Sequence, residues 1–112
     1  MPYDEADAVR VRKLMRRRKG FSEKKMFGGV GFLLHGNMCC GVWREFLVLR
    51  VGPKAWQPAL DDPYAREFDI TGRSMTGWVM IEPQGYDRDD DLKDWVRLAV
   101  RFSSKLPPKE GT

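Results

Sequence analysis

The sequence predicts an α+β domain, a mostly antiparallel sheet of about five to six strands with a helix from each end of the chain packed on it. Three observations carry this. Between residues 24 and 82 short apolar runs recur, separated by turn residues such as Gly36-Asn37 and Thr71-Gly72. A basic stretch with a narrow apolar stripe precedes them, and a longer amphipathic stretch follows them. A chain of 112 residues suits one domain with one core, spanning 1–112.

Residues 5–19 form the first predicted helix. Ala8, Val11, Leu14 and Met15 make its apolar stripe. Arginine and lysine crowd its last turn, where the helix dipole favours cations, and Gly20 follows as a stop. Lys24 to Phe27 is a short strand. Gly31 to His35 and Met38 to Trp43 pair across Gly36-Asn37, a good two-residue hairpin turn. Phe46 to Val51 is the next strand. Residues 53–64 are helical or irregular, with Pro53 suited to a first turn and Pro58 limiting length. Arg66 to Ile70 and Gly77 to Glu82 are further strands. The C-terminal helix draws its N-cap and first-turn charge from Asp89 to Asp91 and buries Leu92, Trp95, Val96, Ala99 and Phe102. Pro107-Pro108 stops it, and the tail from about residue 107 is expected to be loose.

Alternation through both hairpins sorts the strands into two faces. One collects Leu33, His35, Met38, Cys40, Val42, Leu47, Leu49 and Val51. The other collects Phe32, Leu34, Cys39, Gly41, Trp43, Phe46, Val48 and Arg50. Both are largely apolar, whereas an antiparallel sheet with one wet face alternates more cleanly. The second face is therefore expected to be covered by helices or by another subunit. Phe32, Leu34, Trp43, Phe46 and Val48 are its candidate protein interface.

Net charge is +4, with a pI near 9.3. The excess concentrates around Arg12, Lys13, Arg16, Arg17, Arg18 and Lys19, a candidate nucleic-acid patch. No apolar run approaches the ~20 residues that cross a bilayer, and the acidic N-terminus lacks the apolar stretch of a secretory signal. The expected location is the cytoplasm, away from membranes. The only cysteines, Cys39 and Cys40, are adjacent. On a regular strand they point to opposite faces, poorly placed for a disulfide.

Catalytic chemistry finds little to stand on. The single histidine, His35, is expected opposite Met38, with Cys39 on the other face, so no Cys–His pair is assembled. Two adjacent cysteines and one histidine do not make tetrahedral metal spacing. The acidic run at Asp87, Asp89, Asp90 and Asp91 suits helix capping, not a calcium loop. Gly28, Gly29 and Gly31 lack the spacing of a nucleotide fingerprint, and a strand follows them rather than a helix. No enzyme activity, metal or cofactor is expected.

The run Glu23-Lys24-Lys25-Met26-Phe27-Gly28-Gly29-Val30-Gly31-Phe32 resembles the start of the TfoX/Sxy N-terminal domain family. The resemblance continues through Gly36-Asn37-Met38 and Leu47 to Val51. It resumes at Phe68, Met75, Gly77-Trp78, Leu92 and Trp95. It implies a two-layer fold like that of secretion chaperones, with Met26, Phe27, Gly28, Gly29 and Gly31 as its structural motif. Founding members regulate competence for DNA uptake together with a cyclic-AMP receptor transcription factor. They also carry a second, helical domain, so this chain looks like a stand-alone N-terminal-domain protein of bacterial type. The resemblance implies a regulatory or adaptor role through a protein partner, such as a transcription regulator, or through homodimer formation. It attaches no catalytic residues. Direct nucleic-acid binding by the basic N-terminal helix is the alternative.

Overall fold

Helix α1 (Glu5–Met15) opens the chain, with Asp4 as N-cap: its carboxylate accepts from the backbone N–H groups of Ala6 at 2.9 Å and Asp7 at 3.2 Å. The computed structural model describes residues 3–26, 28–69, 72 and 75–109. Ala8, Val11 and Met15 are the buried stripe. The helix stops four residues short of the expected Lys19. Arg18 N–H turns back to the Met15 carbonyl, Phe21 N–H to that of Arg18, and Gly20 takes φ +81°. Residues 16–20 are thus a turn, because the chain must reverse into a strand that begins at Phe21, three residues before the one expected.

Six strands follow as one sheet: β1 (Phe21–Met26), β2 (Gly29–Leu34), β3 (Asn37–Trp43), β4 (Phe46–Arg50), β5 (Ala65–Glu67) and β6 (Trp78–Ile81), in the spatial order β1-β2-β3-β4-β6-β5. Every neighbouring pair is antiparallel. Helix α2 (Pro53–Leu60) joins β4 to β5, and the short α3 (Pro83–Tyr86), absent from the sequence expectation, precedes α4 (Asp89–Ser103). The N-cap of α4 is Arg88, without a side-chain cap, so Asp89 to Asp91 contribute first-turn charge, and Asp89 also accepts from Arg10 Nη2 at 3.2 Å. Leu92, Val96, Ala99, Val100 and Ser103 are its buried residues, while Trp95 and Phe102 are half-buried.

Two local features of the β2–β3 hairpin differ from expectation. The turn is His35-Gly36, both with positive φ (50° and 81°), and Leu34 pairs with Asn37. That backbone is the hairpin turn that suits strand twist. Asn37 is left to pair, and its buried amide donates to the Pro107 carbonyl at 2.9 Å. Further along, Leu33 pairs with Met38 but Phe32 with Cys40, so Cys39 is the extra residue of a β-bulge.

That bulge exchanges the faces of β2 relative to β3. Phe32 and Leu34 join Cys40, Val42, Leu47 and Leu49 on the face covered by the helices, at 0% and 4% exposure. The expected interface group is therefore split: Phe32 and Leu34 are core, and only Trp43, Phe46 and Val48 share the opposite face. The bulge also overturns the expectation that the cysteines diverge. Cys39 and Cys40 are both buried in the core as free thiols in contact with each other. That contact, with Ser103 beside it, lowers the Cys39 pKa, while the same contact and burial raise that of Cys40.

The helical layer is tied to itself and to the sheet. Arg10 donates through Nη2 to the carbonyls of Tyr86 at 2.9 Å and Asp87 at 3.0 Å. The Tyr86 hydroxyl bridges Asp7 Oδ2, at 2.9 Å, and the Glu45 carbonyl. The tail expected to be loose is bonded as far as it is described, with Lys109 N–H donating to the His35 carbonyl at 2.8 Å.

Candidate functional site

The face of the sheet away from the helices carries the candidate site. Strand register places Met26, Gly29, Gly31 and Met38 on this face together with Gly41, Trp43, Phe46, Val48, Trp78 and Met80. Phe68 and Met75, from between β5 and β6, lie alongside it. Phe68 stacks on Trp78 with ring centroids 5.8 Å apart, and Trp43 on Phe46 at 6.2 Å. Between these aromatic walls runs a groove of about 480 Å³ lined almost wholly by apolar atoms, those of Met26, Met38, Trp43, Val48, Phe68, Met75 and Trp78 among them.

Glycine makes this groove possible. A Cβ on Gly29 would stand 2.5 Å from the Val42 carbonyl oxygen, and one on Gly41 would stand 2.6 Å from that of Val30. Both are backbone atoms that cannot swing aside. A Cβ on Gly31 would meet Met38 Sδ at 2.6 Å, because the Met38 side chain lies across the paired Gly31 and Gly41. The floor is thus bare backbone and its cover is methionine, a side chain that repacks easily. Gly28 plays another part: at φ +78° it turns β1 into β2, where Met26 pairs with Gly29. Phe27, the remaining member of the expected motif, lies outside the described residues.

Cations edge the site. Arg44 stacks over Trp43 at 4.5 Å, Arg50 over Trp78 at 5.5 Å and Arg66 over Phe46 at 5.9 Å. A cavity of about 550 Å³ on the helical side is larger, but side chains of both charges line it, including Asp91, Asp94, Arg97 and Arg101. It presents neither a continuous apolar wall nor a single sign of charge.

The expected nucleic-acid residues are only partly free. Arg12 is held by Glu23 through two hydrogen bonds of 2.6 and 2.9 Å, which raise its pKa. Lys13, Arg16, Arg17, Arg18 and Lys19 are exposed, but four of these five follow the end of α1, so they cluster on a turn instead of a helix face. His35 is exposed in its turn with the imidazole against Gly20, apart from the buried thiols. Among the described residues no group of histidine, cysteine and acidic side chains could hold a metal ion, and no helix is long and apolar enough to cross a membrane.

Sequence reasoning found Trp43, Phe46 and Val48 but missed Met38, Phe68, Met75 and Trp78 as neighbours of one groove. The available signal was the glycine pattern. Two glycines spaced by two residues lie on one face of a strand, and a third in the next strand extends the bare floor. No curated protein and no solved structure matches the chain significantly. The family model described as the TfoX N-terminal domain matches residues 13–103, nearly the whole of the α+β unit, and the chain belongs to that family.

Proposed function

We propose that this domain is a non-enzymatic regulatory or adaptor module of the cytoplasm that works by protein contact through the open face of its sheet. The observation that supports it most is the apolar groove walled by Trp43, Phe68 and Trp78. A continuous apolar surface left uncovered by the chain's own helices is costly to keep in water and is characteristic of interaction sites. Its aromatic and methionine content matches the residues enriched at protein interfaces. A photo-crosslinking residue in place of Met75, 40% exposed at the groove, tests this in the native host. The expected result is a polypeptide adduct that Trp43→Ala weakens. No polypeptide adduct, or one indifferent to Trp43→Ala, overturns the reading.

A second reading, nucleic-acid binding, draws on the exposed cluster of Lys13, Arg16, Arg17, Arg18 and Lys19. It expects an affinity for duplex DNA that falls steeply with salt and drops further in Arg16→Ala/Arg17→Ala/Arg18→Ala. Binding unaffected by either change removes it.

A further inference from the structure

We infer that the groove takes an acidic amphipathic segment of a partner protein, its large apolar side chains over the glycine floor and carboxylates at both ends. The inference rests on the protein-contact reading above and adds the chemistry of the partner. One row of side chains crosses all the strands: Lys24, Gly31, Gly41, Val48, Met80 and Arg66 are successive register partners from β1 to β5. Each end of that row is a cation and everything between is glycine or apolar.

Five interstrand steps separate the two cations by about 24 Å at the usual ~4.8 Å spacing. Lys24 is exposed, and the Arg66 side chain remains 57% exposed although it pairs with Glu82 at 3.2 Å. Arg50 is the one other charged strand residue that the register places on this face among those described, and it too is a cation. The row is therefore apolar at its centre and ends in a cation on each side, with Glu82 beside Arg66.

This pattern selects among occupants. A lipid-like molecule has one anionic head and cannot reach both margins. A second copy of this chain in a two-fold dimer would bring the same surface against itself. It would set Lys24, Arg50 and Arg66 of both copies around one interface, against only the Glu82 that already pairs with Arg66 among the acids named at this margin. A partner segment with glutamates or aspartates flanking an apolar stripe meets both the centre and the margins. The methionines give the cover room to adjust as that stripe enters.

The test uses the full chain and a panel of labelled synthetic helical peptides with leucines at i, i+3, i+4 and i+7 and glutamates at each end. A matched panel carries lysine in place of glutamate. Fluorescence anisotropy is expected to show the acidic peptides binding about tenfold more tightly than their lysine twins, as two exposed ion pairs allow. Lys24→Glu/Arg66→Gln should erase that difference, and Met75→Glu should weaken both panels while each variant keeps a cooperative thermal transition. Equal binding of the twins, or no binding of either, overturns the acidic partner. So does a doubled solution mass that Met75→Glu returns to monomer, which assigns the face to a second copy. The Met75 crosslink separates the two levels. If a polypeptide adduct persists while the twins bind equally, only the partner's chemistry fails. If adduct and peptide binding are both lost, the protein-contact reading fails with it.

Discussion

The two faces of the sheet are built from similar residues and do opposite things. On one, Phe32, Val42, Leu47, Leu49 and Ile81 are sealed beneath the helices at 0–1% exposure. Tyr86, Arg10 and Asn37 there anchor the helices, the short α3 and the tail to the sheet. On the other, Trp43, Phe46, Val48 and Trp78 meet Phe68, Met75 and the flanking arginines Arg44, Arg50 and Arg66. The same hydrophobic chemistry gives a core where a helical layer closes it and a groove where none does. Apolar composition therefore marks a surface as unfit for water without saying what removes the water.

The largest expected break in that comparison is Phe32→Ala, which should cost about 3–5 kcal/mol, as deletion of a sealed aromatic does. Phe46→Ala on the open face should cost well under half of that, measured by urea titration. Equal losses would mean that the open face is as much core as the covered one.

Glycine substitutions sharpen the contrast within the motif. Gly29→Val sets a side chain against the Val42 carbonyl and should lose about 1–3 kcal/mol. Gly28→Ala, at an exposed turn position with positive φ, should lose only about 1 kcal/mol. Thermal melts that rank them the other way would reject the close backbone approach at Gly29.

Tyr86→Phe should cost about 1–2 kcal/mol, because it removes a hydroxyl held between Asp7 and Glu45. Burial foremost, and then the Asp7 hydrogen bond, raise the Tyr86 pKa well above its ordinary value. The protonated hydroxyl is the form the fold favours. Its contribution is complete below the unfolded-state pKa of about 10 and declines as pH rises above it. Stability followed through the alkaline range should fall less steeply in Tyr86→Phe than in the parent, and identical slopes would remove Tyr86 from the account.

The smallest effect belongs to the margins. Lys24→Glu should change stability by no more than about 0.5 kcal/mol, as an exposed residue does, while altering peptide binding. A large loss of stability would give Lys24 a structural part.

Much of this was legible along the chain. The glycine-rich turn at Gly28, the apolar stripes of α1 and α4 and the alternation of β6 are local patterns, and each emerged close to where it was expected. The β3–β4 faces were also read correctly, with Trp43, Phe46 and Val48 together. Two features were not legible. The bulge at Cys39 is a single extra residue whose only signature is the pairing itself, yet it moves Phe32 and Leu34 to the other side of the sheet. The approach of Phe68 and Met75 to Met38 joins segments about thirty residues apart, and no local pattern encodes it.

The sequence by itself determined the family, the element types other than α2 and α3, the apolar character of both faces and the glycines that keep the groove floor bare. These follow from backbone preference and periodicity, which act between near neighbours. Only the tertiary structure decided which face is sealed and which cations border the other. Those outcomes depend on strand register summed across the sheet and on where the helices find room to pack, and a one-residue bulge is enough to change them.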